Sequence, residues 1–131
     1  MEYEGSYPAV PVAIGAIRGD MIEVARRCGL NEQAISDVAL AVSEAATNAI
    51  VHAYGGEEDG EIHVAAVAED GELTIVVADD GDGMAPRPDS PGLGMGLPII
   101  ASVTSRLEVA SEGRGTKVEM VFPCPAGDGG R

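Results

Sequence analysis

Three polar residues near the middle of the chain are spaced so that they could act together. Glu44, Asn48 and His52 follow one another at intervals of four residues within an Ala-rich, apolar run. Side chains at positions i and i+4 stand one above the other on a helix, so this spacing predicts a row of carboxylate, amide and imidazole. Burying such groups without partners costs free energy, so the row is expected to be exposed or functional. Proton transfer by the carboxylate is one chemistry that it could support.

Two glycine-rich segments further along the chain bear on the function of this row. Asp79-Asp80-Gly81-Asp82-Gly83 follows a strand-like run, and Gly92-Leu93-Gly94-Met95-Gly96-Leu97 leads into a predicted helix. Glycines at a helix start allow backbone N–H groups to approach a phosphate. Each segment alone is a weak signal, because Asp and Gly are also typical of ordinary turns.

The charge of the chain limits the kinds of partner. The 131 residues are enough for one domain with a real core, and their net charge is −14. An acidic surface disfavours nucleic acid, whose phosphates require basic residues, and it also disfavours an anionic membrane surface. The same balance suits a protein partner with a basic face.

The cysteines and the amino terminus bear on location. Cys28 and Cys124 are far apart in the sequence and match no metal-binding or redox spacing, and Cys28 falls on an apolar helix stripe and is expected in the core. We find no disulfide framework, no signal peptide and no apolar run that is long enough to span a membrane, which together predict a cytoplasmic protein.

Hydrophobic periodicity predicts two helices before the first glycine-rich segment. Apolar residues at three- and four-residue steps predict an amphipathic helix from Val12 to Cys28, with Gly29 ending it. Asn31 is expected to cap a second helix that runs to about Tyr54. This second helix is apolar over most of its circumference, which predicts a central, buried position.

The remainder of the chain reads as two hairpins around a short helix. Residues 1–10 are a weak strand or an arm, and 84–91 is expected to be an irregular loop. Alternating apolar residues predict strands at 61–68, 72–79, 106–111 and 116–122, with a helix from about 94 to 104. This order predicts an α+β two-layer sandwich, with helices on one face of a mixed, mostly antiparallel sheet. We expect a single domain over residues 1–122 and a flexible tail over 123–131.

Two common phosphate-binding motifs do not fit the glycine segments. A Walker loop requires a lysine after its last glycine, but the chain's only lysine is Lys117. A dinucleotide fingerprint requires Gly-x-Gly-x-x-Gly, and Ile99 stands where its third glycine would be.

Taken together and in this order, the segments are specific enough to indicate one protein superfamily. They resemble the four nucleotide-binding boxes of the GHKL, or Bergerat-fold, ATPases and kinases, over residues 10–122; the matching segments are Glu44-x-x-x-Asn48, Asp79-x-Gly81-x-Gly83, Gly92-x-Gly94-x-Gly96-Leu97 and Gly113-x-Gly115-Thr116. Within this superfamily, the segment from Ser43 to Tyr54 is most similar to the bacterial anti-sigma-factor serine kinases. Those single domains bind a sigma factor and phosphorylate a STAS-type antagonist.

The resemblance implies a role for each matching residue. Asn48 would hold one Mg²⁺ together with triphosphate oxygens and waters, and Glu44 would act as general base toward a substrate serine. Asp79 would accept a hydrogen bond from the adenine amino group, with Thr116 supporting the pocket. The glycines and Leu97 would contact the nucleotide: Gly81 and Gly83 beside the base, and Gly92, Gly94 and Gly96 at the lid hinge and the phosphates.

Other roles implied by the resemblance concern partners. Arg18 matches a first-helix arginine that relatives use against partners, although an exposed helix arginine needs no such role. Homodimerisation is an expectation from the family alone. His52 has no assigned chemical step, and a packed, hydrogen-bonded imidazole explains it equally well.

Three alternatives to a protein-serine kinase were considered. A non-catalytic module that uses ATP only to set its partner affinity has no need of Glu44. The catalytic domain of a histidine kinase would follow a helical hairpin that bears a phosphoacceptor histidine, and residues 1–30 contain none. A gyrase- or MutL-like ATPase would continue into a transducer domain.

Overall fold

The computed structural model of the protein describes residues 1–53, 60–80, 91–110 and 115–124. Side chains at positions 52, 53 and 91–96 are outside this description. The described elements, in chain order, are β1 (Glu2–Pro8), α1 (Val12–Arg27), α2 (Glu32–Asn48), a π-helical turn (Ala49–Ala53), β2 (Glu61–Glu69), β3 (Glu72–Asp79), α3 (Pro91–Val103), β4 (Arg106–Ala110) and β5 (Thr116–Pro123).

The described strands form one sheet in the order β1-β2-β3-β5-β4, and every neighbouring pair in it is antiparallel. The predicted α+β sandwich is confirmed, although the sheet is antiparallel throughout the described strands rather than mixed. Strands β2 and β3 alternate buried and partly exposed residues, as a sheet covered on one face requires. We call the face that packs against the helices the inner face, and the opposite one the outer face.

Helix α2 lies at the centre of the helical layer. It contacts α1 on one side and α3 on the other, and it also reaches β3 and β5. Its side chains Val38, Ala41 and Val42 are fully buried, as its apolar circumference predicts. The side chain of Asn31 accepts a hydrogen bond from the Ala34 N–H at 2.8 Å, which confirms the predicted N-cap.

Three element boundaries differ from the sequence-based expectation. The α-helical part of the second helix ends at Asn48 and gives way to the π-helical turn, whose hydrogen bonds span one residue more than α-helical ones. Helix α3 begins at Pro91, because proline is well tolerated at a first helical position. Strand β5 continues to Pro123 and Cys124 is buried, two residues past the predicted end of the domain. The division into domain and tail stays a prediction, and residues 125–131 lie outside the described residues.

Tyrosine side chains connect the edge strand β1 to α1. Tyr7 donates a hydrogen bond to the Asp20 carboxylate at 2.6 Å, and Tyr3 donates to the same oxygen at 3.3 Å. The two phenol oxygens also share a hydrogen bond. Burial, followed by the hydrogen bond to Asp20, raises the pKa of Tyr7 well above its ordinary value. The predicted weak strand at residues 1–10 is therefore an integral strand of the sheet.

One helical stretch meets the length and hydropathy expected of a membrane span. It covers Glu32–Val51, with a mean hydropathy of 1.3 over its most apolar window, and half of that window is buried inside the protein. The expectation that no run is long enough to span a membrane was therefore too strict. Because α2 packs on both sides against other helices, its apolar character is explained by the core.

Candidate functional site

Helix α2 carries the carboxylate and the amide of the predicted row. Asn48 is the last residue of the α-helical part and is only 4% exposed, whereas Glu44, one turn earlier, is half-buried. The i and i+4 positions place both on one face of the helix. A shielded amide beside a partly accessible carboxylate can bind a polar ligand and exchange a proton with it.

The side-chain nitrogen of Asn48 lacks a hydrogen-bond partner. Among the residues that the structure describes, Asn48 Nδ2 is the one buried polar side-chain atom that makes no hydrogen bond. A buried amide in this state costs about 1–3 kcal/mol. Rotation of the amide by 180° would bring its oxygen to the same position. The orphaned group therefore fits a ligand that either accepts a hydrogen bond or is a cation.

Two side chains next to Glu44 in α2 donate hydrogen bonds to backbone carbonyls of the preceding turn. Ser43 Oγ donates to the Ala39 carbonyl at 2.7 Å, and Thr47 Oγ1 donates to the Ser43 carbonyl at 2.7 Å. Such back-bonding slightly weakens and bends helices. The π-helical turn begins directly after Asn48. Turns of this kind are frequent at functional sites, where they change the direction of the following residues.

The structure describes the backbone of His52, the third residue of the predicted row. It lies within the π-helical turn, where each turn takes in more residues than an α-helical one. Its side chain is outside the described residues. Because four residues come close to one turn of either helix type, the prediction that His52 continues the row stays a prediction.

Arg18 reaches α2 from the neighbouring helix. Its Nη1 donates to Ser43 Oγ at 3.2 Å, and the side chain is otherwise exposed. Ser43 immediately precedes Glu44, so a positive charge lies close to the turn that carries the carboxylate. Sequence reasoning placed Arg18 on α1 but missed this contact, because contacts between two helices depend on how they pack.

Asp79 and Thr116 form a buried pair across two strands. They are directly opposite in the register of β3 and β5, and they are 5% and 3% exposed. Both face the inner side of the sheet, toward the helical layer that contains Asn48. The structure thus brings together two residues that are 37 positions apart in the sequence. It also confirms that Thr116 opens its strand.

Gly115 lets the backbone pass close to Asp79. Its φ is +92°, and a Cβ atom at this position would lie 2.4 Å from the Asp79 carbonyl oxygen. A side chain is therefore excluded both by the backbone conformation and by the contact. The glycine explains how Thr116 can sit directly opposite Asp79.

The predicted phosphate loop is partly helical. Gly92, Gly94 and Gly96 lie within α3, whereas Gly81 and Gly83 lie outside the described residues. Because the helix begins at Pro91, the N–H of Gly92 has no intrahelical acceptor and can donate to a ligand, whereas the N–H groups of Gly94 and Gly96 face acceptors within the helix. Leu97 is half-buried and packs against the core.

Pro98 interrupts the backbone hydrogen bonding of α3. It lies inside the helix and cannot donate the hydrogen bond that the Gly94 carbonyl would otherwise accept. Helix α3 packs along α2, so this weak point lies in an element next to the Glu44–Asn48 row.

The described residues do not offer a ready-made metal site. No group of three or more His, Cys, Asp or Glu side chains that could hold a metal ion occurs among them. A cation at Asn48 would therefore need most of its ligands from a bound molecule and from water, as is usual for Mg²⁺ at phosphates.

A cavity of about 320 Å³ lies beside the Asp79–Thr116 pair. Apart from this pair and Gly115, it is lined by Ala78, Asp80, Ala110 and Lys117. Strand alternation places these four on the outer face, so the cavity opens away from α2. It is distinct from the region where Asn48 and Asp79 both face the helical layer.

Comparison with known proteins assigns the family. Residues 7–122 match the model of the histidine kinase-like ATPase domain. The chain belongs to this family. The resemblance to GHKL ATPases and kinases is thereby confirmed, and with it an ATP-binding domain.

Curated relatives narrow the assignment. An anti-sigma F factor from Clostridium acetobutylicum is 45% identical over 98 residues, a match that covers 66% of this chain and 68% of the relative. A serine-protein kinase RsbW from Bacillus velezensis is 42% identical over 79 residues. That match covers 60% of this chain and 49% of the relative, so the chain spans about half the length of the kinase. The named relatives are thus an anti-sigma factor and a protein-serine kinase, the two activities that the sequence resemblance predicted.

A solved structure confirms the fold. The RsbU and RsbW domains of a Mycobacterium tuberculosis protein match with a TM-score of 0.76 at 23% identity. The match covers 94% of this chain and 32% of that protein. At this identity the likeness concerns the architecture, and it agrees with the α+β sandwich described above.

Proposed function

We propose that the protein is an ATP-dependent protein-serine kinase that acts as an anti-sigma factor. It would bind a sigma factor and phosphorylate a STAS-type antagonist of that binding on serine. The observation that carries this proposal is the buried, partnerless amide of Asn48, one turn after the accessible carboxylate of Glu44. A binding amide and an adjacent base are the two groups that Mg-ATP and a serine hydroxyl require.

Glu44 is the proposed general base. Its carboxylate would take the proton of the substrate serine while the serine oxygen bonds to the γ-phosphorus and ADP departs. Half-burial leaves one side of the carboxylate open to a protein substrate. The back-bonds of Ser43 and Thr47 lie in the turn of α2 that carries Glu44, where they favour a slight bend of the helix.

Asn48 is the proposed anchor for the cation and the phosphates. Its amide oxygen would provide one protein ligand to Mg²⁺, and the orphaned buried amide fits that role. When bound, Mg²⁺ neutralises negative charge on the phosphate oxygens. The N–H group of Gly92, in the first turn of α3, would donate to the same phosphates, and the lack of side chains at Gly94 and Gly96 would let the helix approach them.

Asp79 and Thr116 are the proposed adenine contacts. The Asp79 carboxylate would accept a hydrogen bond from the adenine amino group, which guanine cannot donate from that position. Burial of the pair makes such a hydrogen bond stronger than it would be in water. Gly81, Gly83 and Leu97 complete the proposed nucleotide-binding set.

The proposed partners follow from the relatives and from charge. The relatives include an anti-sigma factor and a serine-protein kinase, which supports a sigma factor and an antagonist as partners. The net charge of −14 favours protein partners with basic faces over nucleic acid or membranes. Arg18, beside Ser43, is a candidate contact for either partner. Cytoplasmic location and homodimerisation belong to the same proposal.

A phosphate-transfer assay tests the proposal. Purified protein is incubated with Mg²⁺, γ-labelled ATP and an extract of its own cells, and label on serine is measured. We expect one small protein to be labelled. The variant Glu44→Gln should bind ATP within about threefold of the normal affinity but transfer phosphate about 10²–10⁴-fold more slowly.

Glu32→Gln is the matched control. It makes the same chemical change in the first turn of the same helix, at an exposed position far from Asn48. Its transfer rate should equal that of the unchanged protein. If Glu44→Gln transferred phosphate at the normal rate, Glu44 would not be the base. If ATP bound but no protein were labelled, the chain would be a non-catalytic ATP-binding module.

A further inference from the structure

The fold brings together two cysteines that the sequence separates by 96 positions. Cys28 ends α1 as its C-cap, and Cys124 directly follows β5. Both are free thiols, and they are 7% and 1% exposed. Their sequence spacing suggested no redox pair, because spacing along the chain says nothing about neighbours that meet through a sheet and a helix. The proposed kinase chemistry uses neither residue.

The side chain of Cys124 contacts the backbone of Cys28. The Cys124 thiol donates to the Cys28 carbonyl oxygen at 3.2 Å, and it lies close enough to the Cys28 thiol to raise the pKa of that group. A carbonyl oxygen is only two bonds from its own Cα, which places the Cys124 sulfur within roughly 6 Å of the Cys28 Cα. Rotation about the side-chain bonds of the two cysteines moves their sulfurs by a few ångströms, which is the scale of movement that an S–S bond of about 2 Å requires.

The neighbouring backbone is fixed on both sides. The N–H of Cys28 donates to the Val24 carbonyl at 3.0 Å, and the N–H of Cys124 donates to the Gly71 carbonyl at 2.8 Å. A bond between the sulfurs would replace the weak thiol hydrogen bond while these backbone contacts remain.

We propose that Cys28 and Cys124 form an oxidation site that closes into an intramolecular disulfide on exposure to a peroxide. One thiolate attacks the peroxide oxygen and becomes a sulfenic acid, and a hydroxide ion leaves. The second thiolate then attacks the sulfenic sulfur, the S–S bond forms, and a second hydroxide leaves. With hydrogen peroxide, two thiols are oxidised by two electrons in all, and after protonation two waters are released.

Burial makes this site slow and selective. Desolvation, followed by the adjacent Cys124 thiol, raises the pKa of the Cys28 thiol, which lowers its thiolate fraction at neutral pH. Reaction therefore requires local opening around Cys124, the last residue before the segment 125–131. In a reducing compartment the bond would be transient and would form only under oxidative conditions.

The crosslink would stabilise the fold without reaching the proposed nucleotide site. Cys124 follows Pro123, which pairs with Glu72 at one end of the β3–β5 ladder, whereas Asp79 pairs with Thr116 at the other end. A bond across 96 positions closes a long loop and lowers the entropy of the unfolded chain. The inference is independent of the proposed kinase function.

The test uses the full chain under native conditions. Reduced protein is treated with hydrogen peroxide, unfolded, and alkylated, and its mass and peptide map are measured. We expect both thiols to escape alkylation and one peptide pair to link Cys28 to Cys124. The thermal midpoint should rise on the order of 10 °C, and dithiothreitol should return it to the starting value.

The variants Cys28→Ala and Cys124→Ala are the matched controls. Neither should gain an intramolecular crosslink or a higher thermal midpoint on peroxide treatment. Should either variant fold poorly, the reversal of the midpoint by dithiothreitol in the unchanged protein still decides the question. Two alkylatable thiols after oxidation, a disulfide only between chains, or a midpoint that does not rise would each overturn the proposal.

Discussion

Asn48 shows how a single residue can be unfavourable for the fold and favourable for a ligand. It is buried at the end of α2, and its side-chain nitrogen lacks a partner among the described residues. An amide in this state destabilises the protein until something binds to it. Residues of this kind are expected where a site is prepared for a ligand at some cost in stability.

We therefore predict opposite effects of Asn48→Ala on stability and on binding. Removal of the partnerless amide should raise the free energy of unfolding of the nucleotide-free protein by about 1 kcal/mol. Binding of Mg-ATP should weaken about 100-fold or more, because a charged ligand loses its hydrogen-bonding and cation-holding partner. Urea denaturation measures the first effect and titration calorimetry the second.

Asn31, the N-cap residue of α2, is the control for that experiment. Asn31 caps the helix through its side-chain oxygen, so Asn31→Ala should lower the free energy of unfolding by about 1 kcal/mol and leave Mg-ATP affinity unchanged. A loss of stability in Asn48→Ala, with normal Mg-ATP affinity, would show that the amide serves the fold and not a ligand.

At the scale of elements, local sequence patterns predicted the ends of strands better than the type and the ends of helices. Alternation of apolar residues placed β2 and β3 within a residue of their observed ends, because side-chain period is a local property. The π-helical turn after Asn48 was not predicted, since an apolar, Ala-rich run gives the same pattern in either helix type. The observed start of α3, Pro91, lies three residues before the predicted start at about residue 94. The prediction was late because glycine and proline are typical of loops.

The candidate site was predictable as a set of residues but not as a geometry. The boxes named Asp79 and Thr116 separately, and nothing in the sequence specified that β3 and β5 pair with these residues in register. The same limit applies to Arg18 and Ser43, whose contact depends on helix packing. Long-range pairing is decided by the whole sheet, so it cannot be derived from one segment at a time.

Gly115 allows the β3–β5 register to be tested. Gly115→Ala would place a methyl group 2.4 Å from the Asp79 carbonyl oxygen and would require a positive φ from alanine. We expect the free energy of unfolding to fall by roughly 2 kcal/mol or more, together with a loss of ATP affinity as the Asp79–Thr116 pair shifts. Thermal or urea unfolding and nucleotide titration measure the two effects.

Gly19→Ala is the matched control for this prediction. Gly19 lies in the exposed interior of α1, and no other atom lies within 4 Å of an added methyl group. Alanine should therefore stabilise the helix by about 0.5–1 kcal/mol and leave ATP affinity unchanged. If Gly115→Ala behaved like Gly19→Ala, close approach at the start of β5 would not matter for the site.

At the scale of the whole molecule, charge opposes the fold that the core stabilises. The chain has 22 acidic and 8 basic residues, so most carboxylates repel one another in the compact state. The ion pairs between described residues are exposed, as in Arg27–Glu23 and Arg106–Glu108, and such pairs contribute little. Net repulsion is therefore expected to outweigh attraction between surface charges.

This balance predicts that salt stabilises the protein. Raising NaCl from about 20 mM to about 500 mM shortens the screening length severalfold, which weakens repulsion between carboxylates over the whole surface. The thermal midpoint should rise by a few degrees in differential scanning calorimetry. Replacing Glu2, Glu4 and Glu69, all exposed, by glutamine should raise the midpoint at low salt and reduce its dependence on NaCl. A midpoint that fell with salt would mean that attractive ion pairs dominate. An equal salt response in the glutamine variant would mean that ions act on the protein by some route other than screening of its acidic surface.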